Sequence, residues 1–140
     1  MANEASLREW IANPTSFTVA NGTGIEQGTL LAMTDPQTAV AATASGSYLA
    51  GIAAVEKVAN DGSTRLSVYQ QGLFDMVASG TFQKGEAVMA ASDTNFPNTV
   101  MRAVIGASGA ALLGIAQETA SDAETVLIKV NVGAVSPNNI

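Results

Sequence analysis

A ten-residue segment, ASGSYLAGIA at Ala44–Ala53, recurs sixty-three residues later as ASGAALLGIA at Ala107–Ala116. Seven of the ten positions are identical, and the two glycines of each copy keep a five-residue spacing. A chain of 140 residues that uses one motif twice either contains a duplicated structural unit or builds the same β-hairpin twice. Both interpretations require nearly the same local structure at two places, which limits the folds that this chain can adopt.

The order of features around the two copies favours duplication. Upstream, Ile25–Asp35 (IEQGTLLAMTD) and Phe82–Asp93 (FQKGEAVMAASD) each have an apolar residue, two polar residues, a glycine and a short apolar run. Downstream, each copy is followed by a polar turn, an apolar run that begins at Thr, and another glycine. The spacings differ by insertions, which surface loops tolerate. The sequence therefore predicts two similar units at about residues 25–72 and 82–133.

The clearest strand follows the second copy. In TVLIKVNV, residues 125–132, every second residue is Val or Ile, which is the period of a strand with one apolar face. If Thr64 is aligned with Thr125, the apolar residues Leu66 and Val68 of the first copy fall one position out of step. Either one copy contains a bulge or the alignment slips by one residue.

Turn-forming residues separate the apolar runs, as in TDPQT at 34–38, NDGS at 60–63 and NFPN at 95–98. Ten candidate strands result, at about 16–20, 29–34, 38–43, 47–58, 64–70, 73–78, 86–91, 99–105, 111–118 and 125–132. Many short strands with turns between them predict a mainly β protein, a small barrel or sandwich built from duplicated strand-hairpin units.

The chain is expected to begin with an extended arm at 1–17, followed by a β domain at 18–135 and a tail at 136–140. One helix is predicted within the arm, at Ser6–Ala12, because Ser6 and Glu9 have capping-box spacing. A helix of that length is marginal by itself, so an extended arm that orders on a partner is an equally good interpretation.

Composition limits the classes of partner. Charged residues make up 13% of the chain, about half the usual share, and small residues replace them. Such a surface suits close packing against other subunits, although a net charge of −6 opposes non-specific association. The six Lys and Arg residues are scattered, so we expect no nucleic-acid binding. No apolar run approaches the length of a membrane-spanning helix, and the N-terminus lacks a signal-peptide pattern, so we expect no membrane partner.

The sequence lacks the residue types on which most enzyme chemistry depends. It has no His and no Cys, which removes the commonest general base, the commonest zinc ligands and a thiol nucleophile. Asp75 and Glu86 stand alone, and the acidic stretch Glu118–Glu124 lacks the spacing and the glycine of a calcium loop. Asn21–Gly28 (NGTGIEQG) has the wrong glycine spacing for a dinucleotide site. We therefore expect no enzyme activity, no cofactor and no metal.

Several segments resemble the capsid decoration, or cement, proteins of tailed bacteriophages. They are the entry GIEQGTLL at 24–31, the hairpin GIAAVEKVANDGSTR at 51–65 and the segment GLFD at 72–75. The similarity extends over about residues 1–133, and its motifs are structural idioms without a catalytic signature.

This resemblance implies a structural virion protein on the outer surface of the head, bound between major capsid subunits and stabilising the capsid. It implies a homo-oligomer, with a homotrimer favoured over a dimer, and an N-terminal arm that reaches onto the capsid lattice. The apolar residues of the arm are then the candidate contacts: Leu7, Trp10, Ile11 and Phe17.

The alternative interpretation is a β-rich tail or fibre module that binds a host glycan or protein. Glycan sites use aromatic side chains for stacking, and the candidates in this chain are Trp10, Tyr48 and Tyr69.

Overall fold

The computed structural model describes residues 3–11, 13–42, 49–91, 98–102 and 112–132, and of Trp10 it describes the backbone alone. The described residues form eleven strands and no helix. In chain order the strands are β1 Ser6–Trp10, β2 Thr15–Thr18, β3 Leu30–Asp35, β4 Thr38–Ala41, β5 Leu49–Ala53, β6 Arg65–Tyr69, β7 Gln71–Ala78, β8 Ala87–Ala90, β9 Thr99–Arg102, β10 Gly114–Ala116 and β11 Thr125–Asn131. Accordingly, this part of the chain contains no helix that could span a membrane.

The strands form two closed barrels with the same topology. In the first barrel, β2–β6, the order is β2-β4-β3-β5-β6, and a parallel pairing of β2 with β4 closes the ring. In the second barrel, β7–β11, the order is β7-β11-β10-β8-β9, and a parallel pairing of β7 with β9 closes it. Each strand of the first barrel therefore has a counterpart five strands later, so the predicted mainly β barrel fold with duplicated units is confirmed.

The repeated motif supplies β5 in the first barrel and β10 in the second. Its second glycine, Gly51 or Gly114, lies directly against a facing strand, where an added methyl group would collide with the carbonyl oxygen of Tyr69 or Lys129. Glycine is thus required because two backbones approach closely as each small barrel closes. The two ASG segments at 44–46 and 107–109 lie outside the described residues.

The strand pairing also settles how the two copies align. Ala53 faces Val68 across β5 and β6, and Ala116 faces Ile128 across β10 and β11. Val68 therefore corresponds to Ile128. Three residues earlier on each strand, Arg65 is then the counterpart of Thr125. The alignment of the two Thr residues was one residue out, and no bulge is needed to explain the shifted apolar pattern.

Buried apolar residues form two clusters. One fills the first barrel and consists of Phe17, Val19, Ile25, Leu31, Ala39, Ala50, Ala53, Leu66 and Val68. The other fills the second barrel and continues onto the outer face of the first, where Leu30, Leu49 and Ile52 belong to it. All five residues of β5 are buried, because one face of this strand lines the first barrel and the other packs against the second. The barrels are therefore joined by a shared core.

All ten predicted strands overlap strands of the structure. The predicted helix at Ser6–Ala12 was wrong, because Ser6–Trp10 forms β1 and pairs antiparallel with β7. A seven-residue segment gains few helical hydrogen bonds for the cost of nucleation, whereas the edge of β7 offers backbone partners that are already ordered. The alternative of an extended segment was correct in conformation, but the strand orders on its own chain.

A turn in the second barrel holds a residue type that its conformation disfavours. Ala123 lies three residues after Ala120, which bridges to Phe82, and has φ of 66°. Its counterpart Asn60 lies three residues after Lys57, which bridges to Ile25, and has φ of 62°. Asn tolerates the left-handed region because its polar side chain can bond locally, whereas the Cβ of alanine is strained there. We expect Ala123→Gly to raise the free energy of unfolding by about 1 kcal/mol, measured by urea denaturation.

The matched control is Asn60→Ala in the first barrel, which introduces the strained residue at the equivalent turn and should lower the free energy of unfolding. Both turns are exposed, so packing changes little in either variant. A loss of stability in Ala123→Gly would contradict this explanation.

Candidate functional site

The N-terminal segment crosses the junction between the barrels. The Ala5 N–H donates to the Gly28 carbonyl of the first barrel at 2.7 Å, and the Ala5 side chain is buried in the shared core. The next residues, Ser6–Trp10, pair with Gly72–Asp75 of β7 in the second barrel. Because β7 also pairs with β9 further along the same edge, β1 and β9 divide that edge between them. The segment therefore connects both barrels.

Gly28 provides the contact surface on the first barrel. It has φ of 88°, and a Cβ built on it would collide with the carbonyl oxygen of Ala5 and approach the Glu4 side chain. Its counterpart Gly85 has nearly the same φ, 87°, but no atom lies within 4 Å of the position of an added Cβ. The two glycines thus share a turn conformation, and only Gly28 receives another segment.

The four predicted contact residues occupy different environments. Leu7 and Ile11 are exposed, at 37% and 51%. Trp10 pairs through its backbone with Gly72, and its side chain lies outside the described part of the structure. Phe17 is 1% exposed and belongs to the core of the first barrel. Phe17 therefore does not fit the surface role expected for it, because β2 is a barrel strand and the segment outside the barrels ends before Thr15.

Charged groups around β1 make only weak contacts and offer little chemistry. Arg8 Nη1 lies 2.9 Å from Asp75 Oδ2, and the exposure of Arg8 with the partial exposure of Asp75 makes this ion pair weak. Burial raises the pKa of the Glu4 carboxyl, and a hydrogen bond to Glu26 raises it further. No set of three or more potential metal-ligating side chains comes together within the described ranges.

A second polar cluster stabilises the turn of the first barrel. Lys57 Nζ, 1% exposed in its side chain, donates to Asp61 Oδ1 at 3.0 Å and to the carbonyls of Asn21 and Val58. The Ser63 N–H donates to Asp61 Oδ1 at 2.8 Å, and this bond, followed by that from Lys57, holds the pKa of Asp61 below its ordinary value. All three donor positions of the ammonium group are used, so the cluster is structural.

The cleft beside β1 has a volume of about 430 Å³ and is lined by residues of both barrels, among them Ile52, Tyr69 and Phe74. The Tyr69 and Phe74 rings meet edge to face with centroids 5.8 Å apart. Tyr69, a candidate for glycan stacking, is half-buried and lines this cleft. Tyr48, another candidate for glycan stacking, lies outside the described residues.

The local sequence pattern does not predict the junction between the N-terminal segment and the two barrels. The residues of β1 show no strand alternation, and their partners on β7 are more than sixty positions away. The contact of Gly28 with Ala5 likewise leaves no local signal in the sequence.

No protein-family model and no curated protein matches the chain. Among solved structures, the chain is similar to the N-terminal base of the head fibre protein gp8.5 of bacteriophage phi29, with a TM-score of 0.51 and 17% sequence identity. The match covers 83% of this chain and 92% of that chain, which is more than one barrel could supply. The two proteins therefore share a fold that extends over both barrels.

We expect Gly28→Ala to detach the N-terminal segment from the first barrel. The added methyl group would occupy the space of the Ala5 carbonyl, and alanine is also strained at the positive φ of this position. Hydrogen exchange at the Ala5 amide and in β1 measures the detachment directly. Gly85→Ala is the matched control, since it adds the same backbone strain without the collision. Equal exchange in the two variants would contradict the proposed contact.

The lowered pKa of Asp61 predicts a pH-dependent contribution to stability. The carboxylate contributes fully above the ordinary pKa of 3.8, and the contribution is lost as the pH falls through the lower folded-state pKa. Wild type should therefore exceed Asp61→Asn in melting temperature at neutral pH, and the difference should shrink in strong acid. A difference that is independent of pH would show that the charge on Asp61 does not contribute.

Proposed function

We propose that this protein is a structural component of a tailed-bacteriophage head, bound to the outer surface of the capsid between major capsid subunits, which it stabilises. The observation that carries the proposal is the fold shared with the base of a phage head fibre, which extends over 92% of that structure. The resemblance of the GIEQGTLL, hairpin and GLFD segments to decoration proteins supports the same conclusion independently. The proposed role involves no catalysis, no cofactor and no nucleic-acid contact.

The architecture suits a permanently attached protein. A closed barrel has no free strand edge, so each barrel is a rigid body with a low tendency to pair with the wrong strand. The shared core through β5 fixes one barrel against the other, so contacts made by both act together. Many weak contacts made by a rigid body, and multiplied by self-association, give an avidity far above that of one contact.

The proposed attachment surface includes the N-terminal strand. Leu7 and Ile11 expose apolar side chains on the segment that crosses the barrel junction. In a capsid complex these side chains would be covered by the major capsid protein, with burial of apolar area as the favourable contribution.

The proposal is tested by mixing purified protein with expanded heads that lack decoration. We expect the protein to co-sediment with the heads and to raise their melting temperature. A variant with Leu7→Ser and Ile11→Ser should bind more weakly, by about tenfold for two partly buried apolar side chains. Failure of the wild-type protein to bind heads would overturn the proposed function.

The control for this variant is Val55→Ser with Val58→Ser, which removes apolar side chains of comparable exposure, 49% and 58%, from the turn of the first barrel. If this control loses binding and the N-terminal variant does not, the attachment surface is the turn and the role of the N-terminal strand is wrong.

A second candidate function, the base of a fibre that binds a host glycan or protein, is favoured because the similar structure is itself a head fibre base. A cryo-electron map of the virion separates the two. A decoration protein occupies every equivalent site between capsid subunits, whereas a fibre base carries further density that projects from the head.

A further inference from the structure

The two barrels of one chain meet through unlike surfaces. The first barrel contributes a row across the outer face of three neighbouring strands, Leu30 on β3, Ile52 on β5 and Tyr69 on β6, which face one another in register. The second barrel contributes a rim that includes Phe74 of β7, beside Tyr69, and Asn98, which directly precedes β9 and whose Oδ1 accepts from the Leu30 N–H at 2.9 Å. An outer face of one barrel therefore covers the rim of the next.

Because the barrels share one topology, each also carries the surface that the other uses. In the second barrel the same row across β8, β10 and β11 consists of Ala87, Ile115 and Lys129, again in register. We call these three residues the face. Ile115 is 39% exposed, whereas the equivalent Ile52 is 1% exposed because the second barrel covers it. The face thus repeats the packing surface of the first barrel, but no barrel among the described residues covers it.

The rim of the first barrel is exposed in the same way. Met33, two residues before the end of β3, is 37% exposed, whereas its equivalent in the covered rim, Ala90 at the end of β8, is 0% exposed. The position before β4 is Gln37, equivalent to Asn98 before β9, and both have positive φ, 52° and 60°. The Asn98 side-chain amide, which accepts the bond from the Leu30 N–H, therefore has a counterpart on the exposed rim in the Gln37 amide. We call Met33, Asp35 and Gln37 the rim.

We propose that the face of one copy packs against the rim of a second copy of this chain, repeating head to tail the contact that joins the two barrels within a chain. Ile115 packs against Met33, and the Gln37 amide takes the place of Asn98 opposite the backbone of β8. The proposal rests on the internal repeat and is independent of where in a virion the protein acts.

Charge complementarity supports this choice of partner. Lys129 in the face and Asp35 in the rim are both exposed, and neither forms an ion pair with any of the residues that the structure describes. Within the chain, the position equivalent to Lys129 is the uncharged Tyr69. The face therefore carries a positive charge that its covered equivalent lacks, and Asp35 of the rim carries the opposite charge. Contact between unlike surfaces produces a closed ring when the rotation per copy closes, and a filament when it does not.

Sedimentation velocity on the purified protein tests the proposal. Wild type should show larger species that increase with concentration, whereas Ile115→Glu and Met33→Glu, each with one surface blocked, should sediment as monomers. An equimolar mixture of the two variants should form a dimer and nothing larger, because one intact face meets one intact rim. Two like surfaces in contact would not give this complementation.

The control is Val58→Glu, which places the same charge at an exposed apolar position outside both surfaces and should associate as wild type does. Reversal of either charge, Lys129→Glu or Asp35→Lys, should raise the apparent Kd by about tenfold, and the double reversal should restore it. Unchanged circular dichroism establishes that each variant is folded. A monomeric wild type, unimpaired association of Ile115→Glu, or a mixture that stays monomeric would each overturn the proposal.

Discussion

The structure depends on the burial of β5 on both faces. In the first barrel, Gly51 of this strand lies directly against the backbone of β6, and the other face of the strand enters the core of the second barrel through Leu49 and Ile52. A five-residue strand thus belongs to two cores at once. Loss of packing in one barrel therefore weakens the other, so the halves are expected to unfold together although each is topologically complete.

Most of the fold could be predicted from the sequence, because strand period, turn residues and the repeated motif are local signals. The ten barrel strands follow from these signals. The position of β1 could not be predicted, because its conformation depends on the distant edge of β7 and not on its own residues. For the same reason Phe17 was assigned to the arm, although its pairing with Leu66 makes it a barrel residue.

The candidate site was predicted only in part. The N-terminal segment was predicted as an arm that precedes the β domain, and two of its apolar residues, Leu7 and Ile11, are exposed. The exposed face and rim could not be recognised from sequence, because an isoleucine in a strand gives no sign of whether a neighbouring barrel covers it. Only the comparison of equivalent positions in the two halves, Ile52 with Ile115, distinguishes a covered surface from an uncovered one.

The N-terminal strand also protects the protein before any partner is present. Gly72–Asp75 would otherwise form an open strand edge beside the closed part of the second barrel, and β1 occupies the hydrogen-bonding groups on that edge. Open edges of this kind are where soluble β proteins begin to aggregate. A chain clipped before Ser6 would keep both barrels but lose the Ala5 anchor, so its colloidal stability during storage at high concentration depends on a few residues outside the barrels.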